Sequence, residues 1–276
     1  MTRKMKLIMG KVITPIKYFG GKSNMKNEIL KYFPNSDDFD VYVEPFSGTY
    51  SIGLSLETPP PIEIYNDLDK NVYSLYKVLS DPDLFKRFKE KCDLVLYNED
   101  LRNEFKDLLK RDDIPMIDRA FFFFYVNRTS HNGVGGFSKN IYIRRNMSKS
   151  ISDFLSSIDR LPEIHNRLSK VIVCNTDGIE LIKKYDDNRT LIYADPPYEQ
   201  STRTSTRYNV DMNREEHVKF LDVVIKSKSK ILISGYDCEL YDILEQNGFK
   251  KVHFDVKTIS GNFTPKIKRE TLWFNY

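Results

Sequence analysis

An α/β fold whose sheet is interrupted by a block of helices is what the sequence predicts, and three observations carry that reading. Short apolar runs ending in carboxylates alternate with helical patterns up to about Leu79 and again from Val171 onward. Between Ser80 and Lys170 that rhythm is absent and helical periodicity dominates. Leu191-Ile192-Tyr193-Ala194 is an unbroken run of apolar or small residues, as a strand buried on both faces requires. Pro196 and Pro197 stop it, because neither can donate to a ladder.

The elements follow in order. Lys17-Tyr18-Phe19-Gly20-Gly21-Lys22-Ser23 is a glycine turn feeding a helical pattern that runs through Tyr32 and Phe33 and ends at Pro34. Such a turn lets backbone approach an anionic group at a helix N-terminus, with Lys22 as a point charge. Gly21-Lys22-Ser23 also matches the end of a phosphate-binding P-loop, but that motif needs a glycine where this chain has Ile16. Val41-Tyr42-Val43-Glu44 reads as a strand entering a Pro45-Phe46-Ser47-Gly48 turn and a helix from about Ser51 to Leu56, the opening of a Rossmann-type nucleotide unit. Ile62 to Asn66 reads as a second strand, and Asp67 follows it about 20 residues after the first turn, where such units place an acid on ribose hydroxyls. Asp67 alternatively caps the helix predicted from Leu68 to Leu79.

Helices are predicted over 82–91, 99–110, 115–126 and 152–168, the last interrupted at Pro162. Phe121-Phe122-Phe123-Phe124-Tyr125 reads as core helix, since base-stacking residues are usually spaced and exposed. Asn127 to Phe137 carries an Asn132-Gly133 turn signal and further glycines, and Lys139, Arg144, Arg145 and Lys149 follow. This turn-rich basic hairpin suits a polyanion; a solvated loop is the alternative. Alternation resumes with a strand at 171–174, Asp177 and a helix to about Lys184, then the Leu191 strand. A helix over 212–226, a strand over 230–234, a helix over 238–246 closed by Gly248, and strands over 252–259 and 271–276 complete the chain. The division is thus 1–79 with 171–276 for the sheet, and 80–170 for an insertion of about 90 residues, an ordinary domain size.

The chemistry concentrates where the Leu191 strand ends. Asp195 presents acceptor oxygens, Pro196 a carbonyl, Pro197 rigidity and Tyr198 a flat ring. That set suits a planar molecule bearing an amino group, such as adenine; the bland alternative is a strand exit with an N-capping aspartate.

Composition narrows the rest. The chain has 276 residues, 40% of them hydrophobic and 30% charged, with net charge +4. These values suit a globular α/β protein and permit a polyanionic partner without requiring one. No apolar run approaches the roughly 18 residues of a membrane span, and Met1 to Met9 lacks the apolar region of a signal peptide. Cys92, Cys174 and Cys238 are scattered and odd in number, which fits a reduced cytoplasm. His131, His165, His217 and His253 show no metal-binding spacing, so no metal is expected.

The Lys17 to Lys22 segment, Glu44-Pro45-Phe46-Ser47-Gly48, Asn66-Asp67, Asn132-Gly133 and Asp195-Pro196-Pro197-Tyr198, in that order along the chain, resemble the Dam-type DNA adenine methyltransferases. The resemblance implies a Rossmann-like mixed sheet with a late reversed strand, a mainly helical target recognition domain inserted over 80–170, and S-adenosyl-L-methionine as cofactor. It implies that Tyr18 and Lys22 contact the cofactor and Asp67 binds its ribose hydroxyls. Phe19, Gly20, Gly21, the turn residues Glu44, Phe46 and Gly48, and Asp177 belong to the same set, and Asp195 lies at the junction of cofactor and base. Asp195, Pro196, Pro197 and Tyr198 are the implied catalytic loop. Asn127, Arg128, His131, Asn132, Gly133, Val134, Lys139, Arg144 and Arg145 are the implied contacts to double-stranded DNA. The chain departs from the family twice. Tyr50 stands where the Phe-x-Gly-x-Gly turn has its last glycine. Gly136 stands where relatives that methylate GATC commonly carry a guanine-reading arginine. Methyl transfer to an amino or amide nitrogen of RNA or protein, and a silent DNA-binding module, are the alternatives.

Overall fold

The computed structural model describes residues 14–17, 22–199, 210–259 and 265–276. After a 3-10 turn at Lys22–Asn24, helix α1 covers Lys26–Leu30. Strands β1 (Val41–Glu44) and β2 (Ile62–Asn66) lead to helices α2 (Lys70–Ser80), α3 (Pro82–Leu94), α4 (Glu99–Leu108) and α5 (Met116–Thr129). A two-stranded hairpin, β3 (Ile143–Arg144) and β4 (Met147–Ser148), precedes α6 (Lys149–Asp159) and α7 (Leu161–Leu168). The chain then gives β5 (Ile172–Cys174), α8 (Gly178–Lys184), β6 (Thr190–Ala194), α9 (Arg214–Lys226), β7 (Lys230–Gly235), α10 (Asp242–Gln246), β8 (Lys250–Ile259) and β9 (Pro265–Phe274).

Local chemistry explains most boundaries. Asp81 accepts from the N–H groups of Asp83 and Leu84 at the start of α3, with Pro82 pre-set in its first turn. Asn98 caps α4, and Asn213 with Glu216 forms a capping box on α9. Gly248, at φ +86°, closes α10. Two expectations are corrected. The helix predicted over 51–56 shrinks to a 3-10 turn at Gly53–Ser55, ended by the extended backbone of Leu56 (φ −72°, ψ 113°). The helix expected from Leu68 starts at Lys70 and is capped by Asp69, not Asp67.

The seven-stranded sheet has the order β5-β2-β1-β6-β7-β9-β8. β1, β2, β5, β6 and β7 run parallel, and β9 runs antiparallel between β7 and β8, the late reversed strand. From β1 the chain winds outward through β2 to β5, then returns to β6 on the other side of β1. The strand order therefore reverses between β1 and β6, and in open α/β sheets the crevice outside the carboxyl ends at that point is where ligands bind. β6 is buried along its whole length, as its apolar run requires.

One hydrophobic cluster joins the sheet to the inserted helices. It contains Tyr42 and Tyr65 of the sheet, Val72, Leu75, Tyr76 and Leu79 of α2, and Phe88, Phe105, Phe121, Phe124, Phe154 and Leu168 from α3 to α7. The aromatic run on α5 is thus core: Phe121, Phe124 and Tyr125 are buried and Phe122 and Phe123 pack beside them. A second cluster, built around Val43, Ile192, Phe220 and Trp273, fills the other face. Among the described residues no helix is long and apolar enough to cross a membrane.

Candidate active site

The crevice at the β1–β6 reversal has one wall made by the turn after β1. Its backbone is held from several directions. The Ser47 N–H donates to Asn66 (2.9 Å), the Tyr65 hydroxyl to the Gly48 carbonyl (3.1 Å), and the Tyr76 hydroxyl to the Thr49 carbonyl (2.6 Å). The Asn66 amide donates to the carbonyls of Pro45 (2.8 Å) and Thr176 (2.9 Å), tying the turn to the loop after β5. Asp67 completes it, with Oδ2 accepting from the Gly48 N–H (2.9 Å) and Oδ1 from the Asp69 N–H (2.8 Å). Burial pushes its carboxyl up to about 7, against the pull of those two N–H groups. Asp69 takes the helix-capping duty, so Asp67 stays on the crevice rim.

Tyr50 preserves the backbone that a glycine would supply. It sits at φ +53°, a conformation costing a non-glycine residue about 1–2 kcal/mol. The ring turns away into the core, edge-on to Tyr65 at 5.4 Å, and its hydroxyl donates to Glu63 (3.1 Å). Glu63 is in turn paired with Arg167 of α7 at 2.5 Å. Gly53 makes room for the ring, since a Cβ there would lie 2.2 Å from it.

The other residues assigned to the turn divide. Glu44 is 2% exposed and faces inward, accepting from the Tyr42 hydroxyl (2.7 Å) and the Gly53 N–H (2.8 Å). Burial raises its carboxyl to about 8, against the pull of those two donors. Phe46 packs edge-on against Phe220 at 5.9 Å and closes over Gly178, where a Cβ would lie 2.5 Å from the ring. Asp177 caps α8 by accepting from the Ile179 and Glu180 N–H groups. Tyr18, Phe19, Gly20 and Gly21 lie outside the described residues.

The facing wall is the loop after β6, and here residues far apart in sequence converge. The Lys22 ammonium, 5% exposed, lies 2.7 Å from Asp195 Oδ2 and donates to the Tyr198 hydroxyl at 2.6 Å. Asp195 Oδ1 accepts from Ser234 of β7 (2.8 Å), whose hydroxyl also meets that of Tyr193 (3.0 Å). A carboxylate offers about four acceptor sites, and Asp195 remains 19% exposed, so it can still receive a donor from the crevice. Pro196 is buried and Pro197 half-buried, which fixes the loop's direction. The Tyr198 hydroxyl donates to Glu270 of β9 (2.8 Å), and its ring stands edge-on to Tyr236 at 4.5 Å. Ser234, Tyr236 and Glu270 were not legible in the sequence; only the strand order brings them to this edge. Among the described residues no group of three or more His, Cys, Asp or Glu is arranged to hold a metal ion.

The basic segment has two parts. Asn127, 3% exposed, is a clamp: its side chain accepts from the Lys17 N–H (2.8 Å) and donates to the Lys17 carbonyl (2.6 Å). Arg128 donates to the carbonyls of Pro15 and Thr14, and burial lowers it to about 10. Gly133 is at φ +82°, and a Cβ there would fall 2.4 Å from the Lys17 carbonyl, so the position needs glycine. Asn127 and Arg128 thus hold the backbone of Thr14, Pro15 and Lys17. Asn132-Gly133 lies in a 3-10 turn at His131–Gly133, closed by a Ser130–Phe137 bridge, whereas the β3–β4 hairpin turns at Arg145 and Asn146, both left-handed. His131, Asn132, Val134, Lys139, Arg144 and Arg145 are exposed. Lys139 pairs with Glu99, and Arg144 and Lys149 share Asp153, exposed pairs that cost little to exchange for phosphates. Tyr142 is 71% exposed beside the arginines, and so are Ile141 (92%) and Ile143 (81%), which the sequence reading passed over. Two isoleucines in a segment without core periodicity were the available signal.

A family model described as D12 class N6 adenine-specific DNA methyltransferase matches residues 18–258. The chain is 25% identical over 267 residues to the type II methyltransferase M.MjaIII of Methanocaldococcus jannaschii, covering 86% of this chain and 89% of that protein. It is 22% identical to the DNA adenine methylase of Haemophilus influenzae, covering 93% of this chain and 91% of that one. It is also 24% identical to the type II methyltransferase M.FokI of Planomicrobium okeanokoites, covering 86% of this chain but only 36% of that protein.

Proposed function

The chain belongs to the D12 class N6 adenine-specific DNA methyltransferases, and from that premise we propose that it methylates the 6-amino group of adenine in a short double-stranded DNA site, with S-adenosyl-L-methionine as donor and the base flipped from the duplex. The observation that carries this reading is the Lys22, Asp195 and Tyr198 cluster at the point where the strand order reverses. Residues 1–79 with 171–276 form the catalytic part in this reading, and 80–170 the target recognition part. The names of M.MjaIII and M.FokI support a restriction–modification setting.

The donor supplies a sulfonium-activated methyl group. Asp67 is the residue to hold its ribose, because a carboxylate raised by burial and fixed on two N–H groups gains from hydroxyl donors. Asp195 and the Pro196 carbonyl accept the two amino hydrogens of adenine. This draws the nitrogen lone pair out of ring conjugation and toward the methyl carbon. The bound donor would supply the methyl group to that nitrogen, the bonding pair leaving with its sulfur, and one amino proton would leave by way of its acceptor, Asp195 or the Pro196 carbonyl. Tyr198 stacks on the base, whose extrusion costs a few kcal/mol. Holding both partners in line makes the transfer effectively unimolecular.

Label from methyl-labelled S-adenosyl-L-methionine is expected in duplex DNA. Label in RNA or protein instead, or cofactor binding without any transfer, would favour one of the alternatives. Gly136 is exposed, with open space where a side chain would stand, so the site need not be GATC. Single-molecule sequencing of DNA from a methylation-deficient host expressing the chain reads both base and site. Modification confined to GATC at full occupancy would show that the absent arginine is compensated.

Cofactor affinity is expected to depend on pH through Asp67. Its carboxyl titrates near 7 in the free protein, and hydroxyl donors favour the ionised form, so binding expels a proton below that pH. Affinity should be level above about pH 7 and fall by up to about tenfold per unit below it. Calorimetry at pH 8 and 5.5 reads this, and an Asp67→Asn variant should be flat; an equal slope in both assigns the titration elsewhere.

Replacing Arg144 and Arg145 with Ala is expected to weaken DNA binding and flatten its salt dependence, each lost phosphate contact removing about 0.9 from the double-logarithmic slope. An unchanged slope would place both arginines off the DNA.

A further inference from the structure

We propose that Glu270, together with Tyr236, is a positioning residue that sets the ring of Tyr198 against the extruded adenine. The inference rests on the reading of Tyr198 as the stacking platform. Reversed strand β9 brings it about: Gly235 at the end of β7 pairs with Thr271, so Tyr236 and Glu270 come level just beyond the strand edge. There Glu270 is 7% exposed, an acidic side chain that the core would otherwise exclude. Its Oε2 accepts from the Tyr198 hydroxyl at 2.8 Å, and the Tyr236 hydroxyl is hydrogen-bonded to the same carboxyl. The two rings meet at 72° with centroids 4.5 Å apart, a stable edge-to-face corner.

The Tyr198 hydroxyl accepts from Lys22 and donates to Glu270, so its orientation is fixed in both directions. A tyrosine ring has two rotatable bonds. Pro197 limits the backbone before it, Tyr236 blocks one edge, and Glu270 holds the far end. A stack contributes most when its plane is set before the base arrives, since no ordering cost remains. Two hydroxyl donors also supply what a buried carboxylate needs, so Glu270 is held in place by the residues it aligns.

The test compares Glu270→Ala, Glu270→Gln and Tyr236→Phe, each alone and combined with Tyr198→Phe, which keeps the ring and removes the hydroxyl. Turnover is measured on duplex DNA, and ring contact is read by the fluorescence of 2-aminopurine placed at the target base. Glu270→Ala is expected to lower kcat about tenfold and to brighten the 2-aminopurine as stacking loosens, a loss within the range that a base–aromatic stack carries. Cofactor affinity should stay within about twofold, Glu270→Gln should recover part of the loss, and Tyr236→Phe should give a smaller loss. In the Tyr198→Phe background, Glu270→Ala should add no more than the small loss that Tyr236→Phe gives, because the Tyr198 hydroxyl it holds is already gone. An equal loss in both backgrounds, or normal turnover and fluorescence in Glu270→Ala, overturns the proposal. Should Glu270→Ala fail to fold, Glu270→Gln and Tyr236→Phe in the two backgrounds carry the same comparison. Normal turnover in Tyr198→Ala would instead remove the platform reading itself, and the two failures are thereby distinguished.

Discussion

Asp195→Ala is expected to reduce methyl transfer to DNA by about 10²–10³-fold or more in kcat, the loss seen when one preorganised polar group is removed from a developing charge. The geometry explains why no neighbour can replace it. Asp195 is the acceptor between Lys22 (2.7 Å) and Ser234 (2.8 Å), and both are donors there. Without the carboxylate, the amino group of adenine would face an ammonium and a hydroxyl instead of an acceptor. Lys22 would keep its bond to Tyr198 but lose its ion pair, so some stability should be lost as well. Asp195→Asn separates the two effects, because it keeps the shape and one acceptor oxygen while presenting an amide to one of its donors. Thermal melting, duplex binding by gel shift and labelled methyl transfer should be measured on the same preparations. Near-normal turnover in Asp195→Ala with intact folding would sink the mechanism.

Asp67→Ala is expected to weaken S-adenosyl-L-methionine binding by about 1.5–3 kcal/mol, roughly ten- to over a hundredfold in Kd, while DNA binding without cofactor changes little. The effect has two sources. The acceptor for the ribose hydroxyls is lost, and so is the acceptor of the Gly48 N–H, which holds the turn after β1 against β2. Asp67→Asn should fall between wild type and Ala, since its remaining oxygen can still take one N–H. Calorimetry on the three proteins reads the order. Unchanged cofactor affinity in Asp67→Ala would remove the residue from the site.

What the sequence alone determined is local. An apolar run ended by Pro196 and Pro197 is a buried strand stopped at its edge, whatever surrounds it, because the missing N–H groups and fixed φ act on neighbouring residues. The helix starts expected at Pro82 and Glu99 hold for the same reason, since Asp81 and Asn98 satisfy N–H groups within a few residues of them. The motif order along the chain pointed to the family, which the match over residues 18–258 shows. Tertiary structure decided the rest. That Lys22 meets Tyr198 across 176 positions, and Tyr198 meets Glu270 across 72, follows from the strand order and the reversal of β9, for which no neighbouring residue carries a signal. It decided that Glu44 turns inward to Tyr42 and Gly53, because a strand residue's face depends on which elements cover the sheet. It decided that Asp69, not Asp67, caps α2, because the turn after β1 offers Asp67 the Gly48 N–H. And it decided that Tyr50 can stand in a glycine's place, since only a packed core, with Gly53 leaving space and Glu63 receiving the hydroxyl, offsets the strain of a left-handed tyrosine.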